Sequence, residues 1–176
     1  NARHILVSDQ SGRSNILARL RDIGLDVDSK DPKVGRLLED VKEKDFQGLS
    51  YDGAEASFEL LARRALGDVP EYFRVESFRT LVERRHNARG DLVTVSEATI
   101  KVNVDGETIM SVGEGNGPVN ALDNALRKDM GKYTEYLEAI ELVDFKVRIL
   151  TQEGTGAVTR VMIESMDPAG VRWSTV

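Results

Sequence analysis

The spacing of apolar residues changes once along the chain, and this change divides it into two parts. Before Gly67 the apolar residues recur every three or four positions, which is typical of helices with one buried face. From Tyr72 onward they alternate with polar residues, as in strands with one packed and one solvated face. The pattern predicts an α+β protein, with a small helical subdomain over residues 1–67 and a strand-rich domain over residues 72–176.

Start and stop signals predict three helices in the first part. Ser14 is placed to cap the first helix, and Asp31-Pro32 opens the second. Asp52 and Glu55 have the spacing of a capping box at the start of the third helix, and Gly67 is a natural stop for it.

The second part contains an internal repeat. Val75-Glu-Ser-Phe78 opens a strand whose apolar phase shifts, which predicts a bulge, and it is similar to Leu142-Val-Asp-Phe145, 67 positions later. Asp105-Gly106 is a strong hairpin signal in the first copy, and Asp167-Pro-Ala-Gly170 takes its place in the second. The repeat predicts a duplicated β-β-β-α domain with a mostly antiparallel sheet.

Only the first copy is followed by a helical pattern within the 176 residues, so the second copy is predicted to be truncated. The apolar face of the second copy would then be short of cover. An exposed apolar face predicts a partner, most simply a second copy of the chain.

A glycine-rich turn, Gly113 to Gly117, joins the last strand of the first copy to its helix. Pro118 suits the first helical position, and Asp123 and Arg127 have the i,i+4 spacing of a helical ion pair. The turn has neither the dinucleotide fingerprint nor the P-loop pattern. Three interpretations stay open: a phosphate site, a tight turn that sets a helix against a sheet, and the wall of a small-ligand site beside a neighbouring subunit.

Candidate catalytic and metal-binding chemistry is sparse. The two histidines, His4 and His86, fall in different parts of the chain and have no ligand pattern around them, so no metal site is predicted. No motif assembles a nucleophile, a base and an oxyanion site, so no catalytic residue is predicted.

Composition narrows the class of protein further. The chain is 40% hydrophobic and 31% charged, and its net charge of -6 argues against partners such as nucleic acid or an anionic membrane. No apolar run approaches the length of a membrane span or a signal peptide. There is no cysteine, which is compatible with the reducing cytoplasm, where we expect the protein to act.

Four segments resemble one enzyme family. The sequence from Gly115 to Leu126 resembles the signature of the C-terminal regulatory domain shared by isopropylmalate synthases and citramalate synthases. The segments Gly53 to Leu61 and Ser96 to Ile100 look like the citramalate synthase branch. Gln10 to Asn15 is similar to the entry of the helical linker subdomain, so the resemblance covers the chain from about His4 onward.

The resemblance implies a parent enzyme that condenses acetyl-CoA with pyruvate on a divalent metal held in a (β/α)₈ barrel. That catalytic barrel is not among these 176 residues, so the fragment is expected to be inactive alone and to need no cofactor of its own. The family's regulatory domain forms a homodimer and binds the end-product amino acid, which is typically isoleucine in the citramalate branch. Two alternatives stay open: an isopropylmalate synthase with leucine as effector, and a dimerisation module without effector binding.

Carried over by motif position, the resemblance also implies an effector pocket. The implied apolar lining is Val119, Leu142, Phe145, Ile149, Gly156 and Val158. Backbone N–H groups near Gly115, Asn116 and Gly117 could hold the effector's carboxylate. The alternative for Leu142 and Ile149 is plain sheet core, and Gly156 could equally belong to a loop between strands.

Overall fold

A computed structural model describes residues 9–67, 69–150 and 158–176. The helices are α1 (Asp9–Asp22), α2 (Pro32–Phe46), α3 (Glu55–Leu66), α4 (Pro118–Lys128) and α5 (Thr134–Glu138), the last preceded by a 3₁₀ turn at Gly131–Tyr133. The strands are β1 (Arg74–His86), β2 (Leu92–Val104), β3 (Glu107–Gly115), β4 (Glu141–Ile149), β5 (Thr159–Met166) and β6 (Arg172–Thr175). They form two three-stranded antiparallel sheets, ordered β1-β2-β3 and β4-β5-β6, which confirms the α+β class and the duplication.

The chain divides into two compact units. One contains the described parts of Asn1–Pro70 and Glu141–Val176, and the other is Glu71–Ile140. This division follows packing and not the repeat, since it groups the second sheet with the first three helices. The domain boundaries drawn from the sequence, 1–67 and 72–176, remain a prediction.

In the first unit, the helices α1, α2 and α3 surround a core that includes the fully buried Leu20, Leu37 and Phe58. The second sheet is bonded to these helices at its end. The Val176 N–H donates to Ser57 Oγ at 2.9 Å, and Arg160 on β5 donates to the carbonyls of Ser50 and Asp52, just before α3.

In the second unit, α4 packs on the sheet β1-β2-β3. The buried face of β2 includes Ala98, Ile100 and Val102, and α4 meets the sheet through the fully buried Ala121 and Ala125. Small alanine side chains let the helix lie very close to the strands. Leu122 and Leu126 of α4 are partly buried and pack against the same core.

The bulge and its repetition are confirmed. The register of β1 against β2 shifts between Val75 and Ser77, and the register of β4 against β5 shifts between Leu142 and Asp144. The two bulges are 67 positions apart, the offset of the sequence repeat. Because a bulge changes which side chains share a face, its recurrence gives both copies the same surface pattern.

Two helix starts differ from the sequence prediction. Helix α1 begins at Asp9, so Ser14 lies inside the helix and not at its cap; the Arg13 side chain ties this part of the helix to the Ser29 and Asp31 carbonyls. Helix α3 has Ala54 at its N-cap, with no side-chain hydrogen bond.

The predicted capping box at Asp52 and Glu55 is therefore wrong. Gly53 turns the chain at φ 73° between Asp52 and the helix, and Ala54 is fully buried. Packing of Ala54, and not a side-chain cap, sets where α3 begins.

Candidate functional site

The glycine turn brings β3 and α4 together at very short range. A Cβ built on Gly115 would lie 2.5 Å from both the Ala121 nitrogen and Asn120 Oδ1. A side chain at position 115 would thus clash with the first turn of α4. The need for glycine here is steric and is explained by the packing of helix on sheet.

Helix α4 begins without a side-chain cap. Its N-cap is Gly117, in extended conformation, and Pro118 is its first residue, as predicted. The positive end of the helix dipole and its first N–H groups favour a bound anion such as a carboxylate. The Asn116 N–H, however, already donates to Asn120 Oδ1 at 3.1 Å, so a carboxylate at this point would have to displace that side chain.

Three of the predicted lining residues lie in one row on β4. Leu142 is opposite Ser165, Phe145 opposite Ile163, and Ile149 opposite Thr159. The partners Ser165, Ile163 and Thr159 are separated by even numbers of residues along β5, so their side chains lie on one face of the sheet. The three β4 side chains opposite them therefore share that face, despite the bulge. Phe145 is 45% exposed and Ile149 66% exposed, so they are not sheet core in this structure.

Val158 does not extend this row. It precedes β5, and its carbonyl accepts the Leu150 N–H at 2.8 Å. Strand alternation from Thr159 places Val158 on the opposite face from Ile149. Gly156 lies outside the described residues.

The predicted site residues belong to both compact units. Gly115, Asn116, Gly117 and the half-buried Val119 are in the unit Glu71–Ile140, and the β4 row is in the other unit. The structure thus defines two groups of candidate residues, each ordered within its own unit.

Three further observations concern charge, metal binding and membrane spans. The predicted ion pair is confirmed, with Arg127 Nε 2.8 Å from Asp123 Oδ2. Within the described ranges, no three histidine, aspartate or glutamate side chains are grouped so as to hold a metal ion. In the same ranges, no helix combines the length and the apolar character needed to span a membrane.

An aromatic groove in the second unit was not predicted from the sequence. The groove has a volume of about 460 Å³ and is lined by Tyr72, Phe73, Tyr133, Tyr136 and Leu137. Tyr72 and Tyr133 pack edge to face, with ring centroids 5.7 Å apart. Some sixty positions separate the two, so only the fold could bring them together.

Comparison with known proteins identifies a matching family and several related proteins. Residues 52–176 match the model of the LeuA allosteric (dimerisation) domain. The whole chain is 49% identical to a protein named (R)-citramalate synthase from Geobacter sulfurreducens and 41% identical to one of that name from Aquifex aeolicus. A third, from Sulfolobus acidocaldarius, is 36% identical over 95% of the chain.

The chain spans about a third of the length of these relatives, 33% of the first two and 30% of the third. The family match covers well over half of the chain and contains both sheets and α4. The chain therefore belongs to the LeuA allosteric (dimerisation) domain family.

Proposed function

We propose that this chain is the regulatory region of a citramalate synthase, and that it binds isoleucine as a feedback inhibitor near the interface of a homodimer. The parent enzyme would condense acetyl-CoA with pyruvate in a part of the protein outside these residues, so this chain alone would be inactive. The names of the relatives support the branch, and the family match supports an allosteric, dimer-forming role.

The observation that carries the effector proposal is the exposed apolar row on β4. A sheet face that exposes Phe145, Val147 and Ile149 leaves apolar area in water, at a cost of about 25 cal/mol per Å² relative to burial. A branched aliphatic side chain is a chemically suitable cover for such a row. The start of α4, near Val119 in the other unit, is a separate candidate for holding a carboxylate, because its first N–H groups have no side-chain cap.

Feedback inhibition would follow if isoleucine bound one arrangement of the enzyme more tightly than another. A ligand shifts an equilibrium between two states only by its difference in affinity for them. The proposal therefore requires that the residues around the ligand be arranged differently in the active and inhibited enzyme.

Thermal unfolding with isoleucine, leucine, valine and no ligand tests the proposal. A ligand that binds only the native state raises the free energy of unfolding by about 2.7 kcal/mol at a hundredfold excess over its Kd. A shift with isoleucine alone is expected. A shift with leucine alone would make the chain an isopropylmalate synthase region, and no shift would leave dimerisation as its role.

A pair of phenylalanine variants locates the site. Phe145→Ala should abolish the isoleucine shift and leave the dimer intact in analytical ultracentrifugation. Phe46→Ala is the matched control, because Phe46 is 93% exposed on α2, outside the proposed site. If Phe145→Ala responds to isoleucine as the parent does, the β4 row does not bind the effector.

A further inference from the structure

Arg127 joins α4 to the turn at residues 137–140 within the unit Glu71–Ile140. It lies in the last turn of α4, where its Nε is 2.8 Å from Asp123 Oδ2 on the preceding turn. Its Nη1 donates to two carbonyls, those of Leu137 and Ile140. Both side chains of the ion pair are only 22% exposed, so the contact is partly shielded from water.

The two carbonyls belong to the turn at the end of α5, where Leu137 O accepts the Ala139 N–H. Helix α5 has five residues, and Leu137 O is one of its last carbonyls, which have no partner within the helix. Leu137 O also accepts the Ile140 N–H at 3.1 Å, so residues 137–140 form a closed turn. The planar guanidinium, with donors in a fixed fork, can serve Asp123 and this turn at the same time.

Residues 137–140 lead directly into β4, which carries the row of Leu142, Phe145 and Ile149. Ile140 is the residue before β4, which begins at Glu141, and Leu142 follows two positions later. Val119 lies eight residues before Arg127 on α4, about 12 Å along the helix. Arg127 instead bonds to the backbone of residues 137–140, which precede β4 in the chain.

We propose that Arg127 is a positioning residue of the effector site, acting through the backbone of residues 137–140. This inference rests on the proposed function, because it requires that isoleucine bind. Loss of the guanidinium would free residues 137–140 from α4, and the effector would then have to order the segment that leads into β4 as it binds. The affinity of the variant for isoleucine should be lower, because binding must remove the conformational freedom that residues 137–140 have gained in the free variant.

The inference is tested by measuring the Kd of isoleucine for the Arg127→Met and Arg127→Lys variants. Isothermal titration calorimetry gives this Kd at a temperature where each variant is fully folded. We expect affinity at least tenfold weaker for Arg127→Met. Arg127→Lys should lose nearly as much, since an ammonium group keeps the charge but not the fork. If Arg127→Met does not fold, Arg127→Lys still tests the inference.

Arg63 offers a matched control. Its Nε is 2.8 Å from Glu59 Oε1, again at i,i+4 in the last turn of a helix, and its Nη2 donates to the Ile23 carbonyl. Arg63→Met should bind isoleucine within twofold of the parent. Amide hydrogen exchange without ligand should be faster at Ile140 and Leu142 in the Arg127 variants than in Arg63→Met.

The outcomes separate the inference from the function on which it rests. If the parent chain binds none of the branched amino acids, both fall. If the parent binds isoleucine and the Arg127 variants bind it as tightly, the inference alone is overturned. Equal losses in the Arg127 and Arg63 variants would also overturn it, because they would report general destabilisation.

Discussion

Gly113 on β3 and Ala125 on α4 approach so closely that no side chain could stand between them. A Cβ built on Gly113 would lie 2.3 Å from the Ala125 nitrogen and 2.7 Å from the Ala121 carbonyl oxygen. Both neighbours are helix backbone, which cannot move aside as a flexible side chain could. The glycines of this turn therefore set the distance between helix and sheet.

Gly113→Ala should consequently lower the free energy of unfolding by about 1–3 kcal/mol, the usual cost of overpacking. Gly35→Ala is a control of opposite sign. Gly35 is inside α2, and among the described residues the nearest atom to its added Cβ would be Arg13 Nη1, at 4.0 Å. In a helix interior, alanine is favoured over glycine by about 0.5–1 kcal/mol, so this variant should be more stable than the parent in urea unfolding.

The sequence predicted features that depend on a few neighbouring residues. Asp105-Gly106 forms the expected hairpin, with φ of 53° and 88°, since the turn type is decided by the two residues themselves. The start of α2 at Asp31-Pro32 is right for the same reason. The bulge after Val75 could be predicted because it displaces the apolar phase of the strand.

Features that depend on distant contacts could not be predicted. The first turns of α1 contain few apolar residues. Arg13, which lies in these turns, donates to the carbonyls of Ser29 and Asp31, sixteen and eighteen positions later in the chain. The bonds of Arg160 on β5 to the segment before α3 likewise join residues more than a hundred positions apart. At the candidate site, the sequence could not show that Asn120 already occupies the Asn116 N–H.

The cap of α2 provides a second test of stability. Asp31 Oδ1 accepts the Lys33 N–H at 2.8 Å, which satisfies a donor of the first helical turn. Asp31→Ala should cost about 1 kcal/mol, and Asp31→Asn, which can make the same bond, should stay close to the parent. Equal losses in both variants would show that the charge of Asp31, and not its cap, stabilises the helix.

Asp45, in the last turn of α2, predicts a pH dependence. Partial burial raises the pKa of Asp45 above its ordinary value, the nearby charge of Asp52 adds to the rise, and Arg19 opposes it. The native state therefore holds the proton more tightly than the unfolded state does. The contribution of Asp45 to stability is greatest at low pH and is lost as the pH rises through its ordinary and then its raised pKa.

Asp45→Asn should thus raise the melting temperature at pH 7, by at most about 2 °C, since surface changes rarely exceed 0.5 kcal/mol. The gain should vanish below the ordinary pKa of an aspartate, where the parent is protonated in both states. Glu39→Gln removes the same charge from an exposed position on α2 and controls for net charge. A gain that persists unchanged at low pH would contradict the assignment.

Arg160 and Arg148 lie directly opposite each other on β5 and β4, yet substitution of Arg160 should destabilise the chain and substitution of Arg148 should not. Arg160 donates to the Ser50 and Asp52 carbonyls, and hydrogen bonds of a charged group are worth about 1.5–3 kcal/mol. Arg160→Met should therefore destabilise the chain by about 2 kcal/mol. Arg148 is exposed, and like charges opposite each other on neighbouring strands are unfavourable, so Arg148→Met should be neutral or slightly stabilising. Urea unfolding of both variants measures the difference, and equal effects would mean that the contact of β5 with the segment before α3 adds nothing to stability.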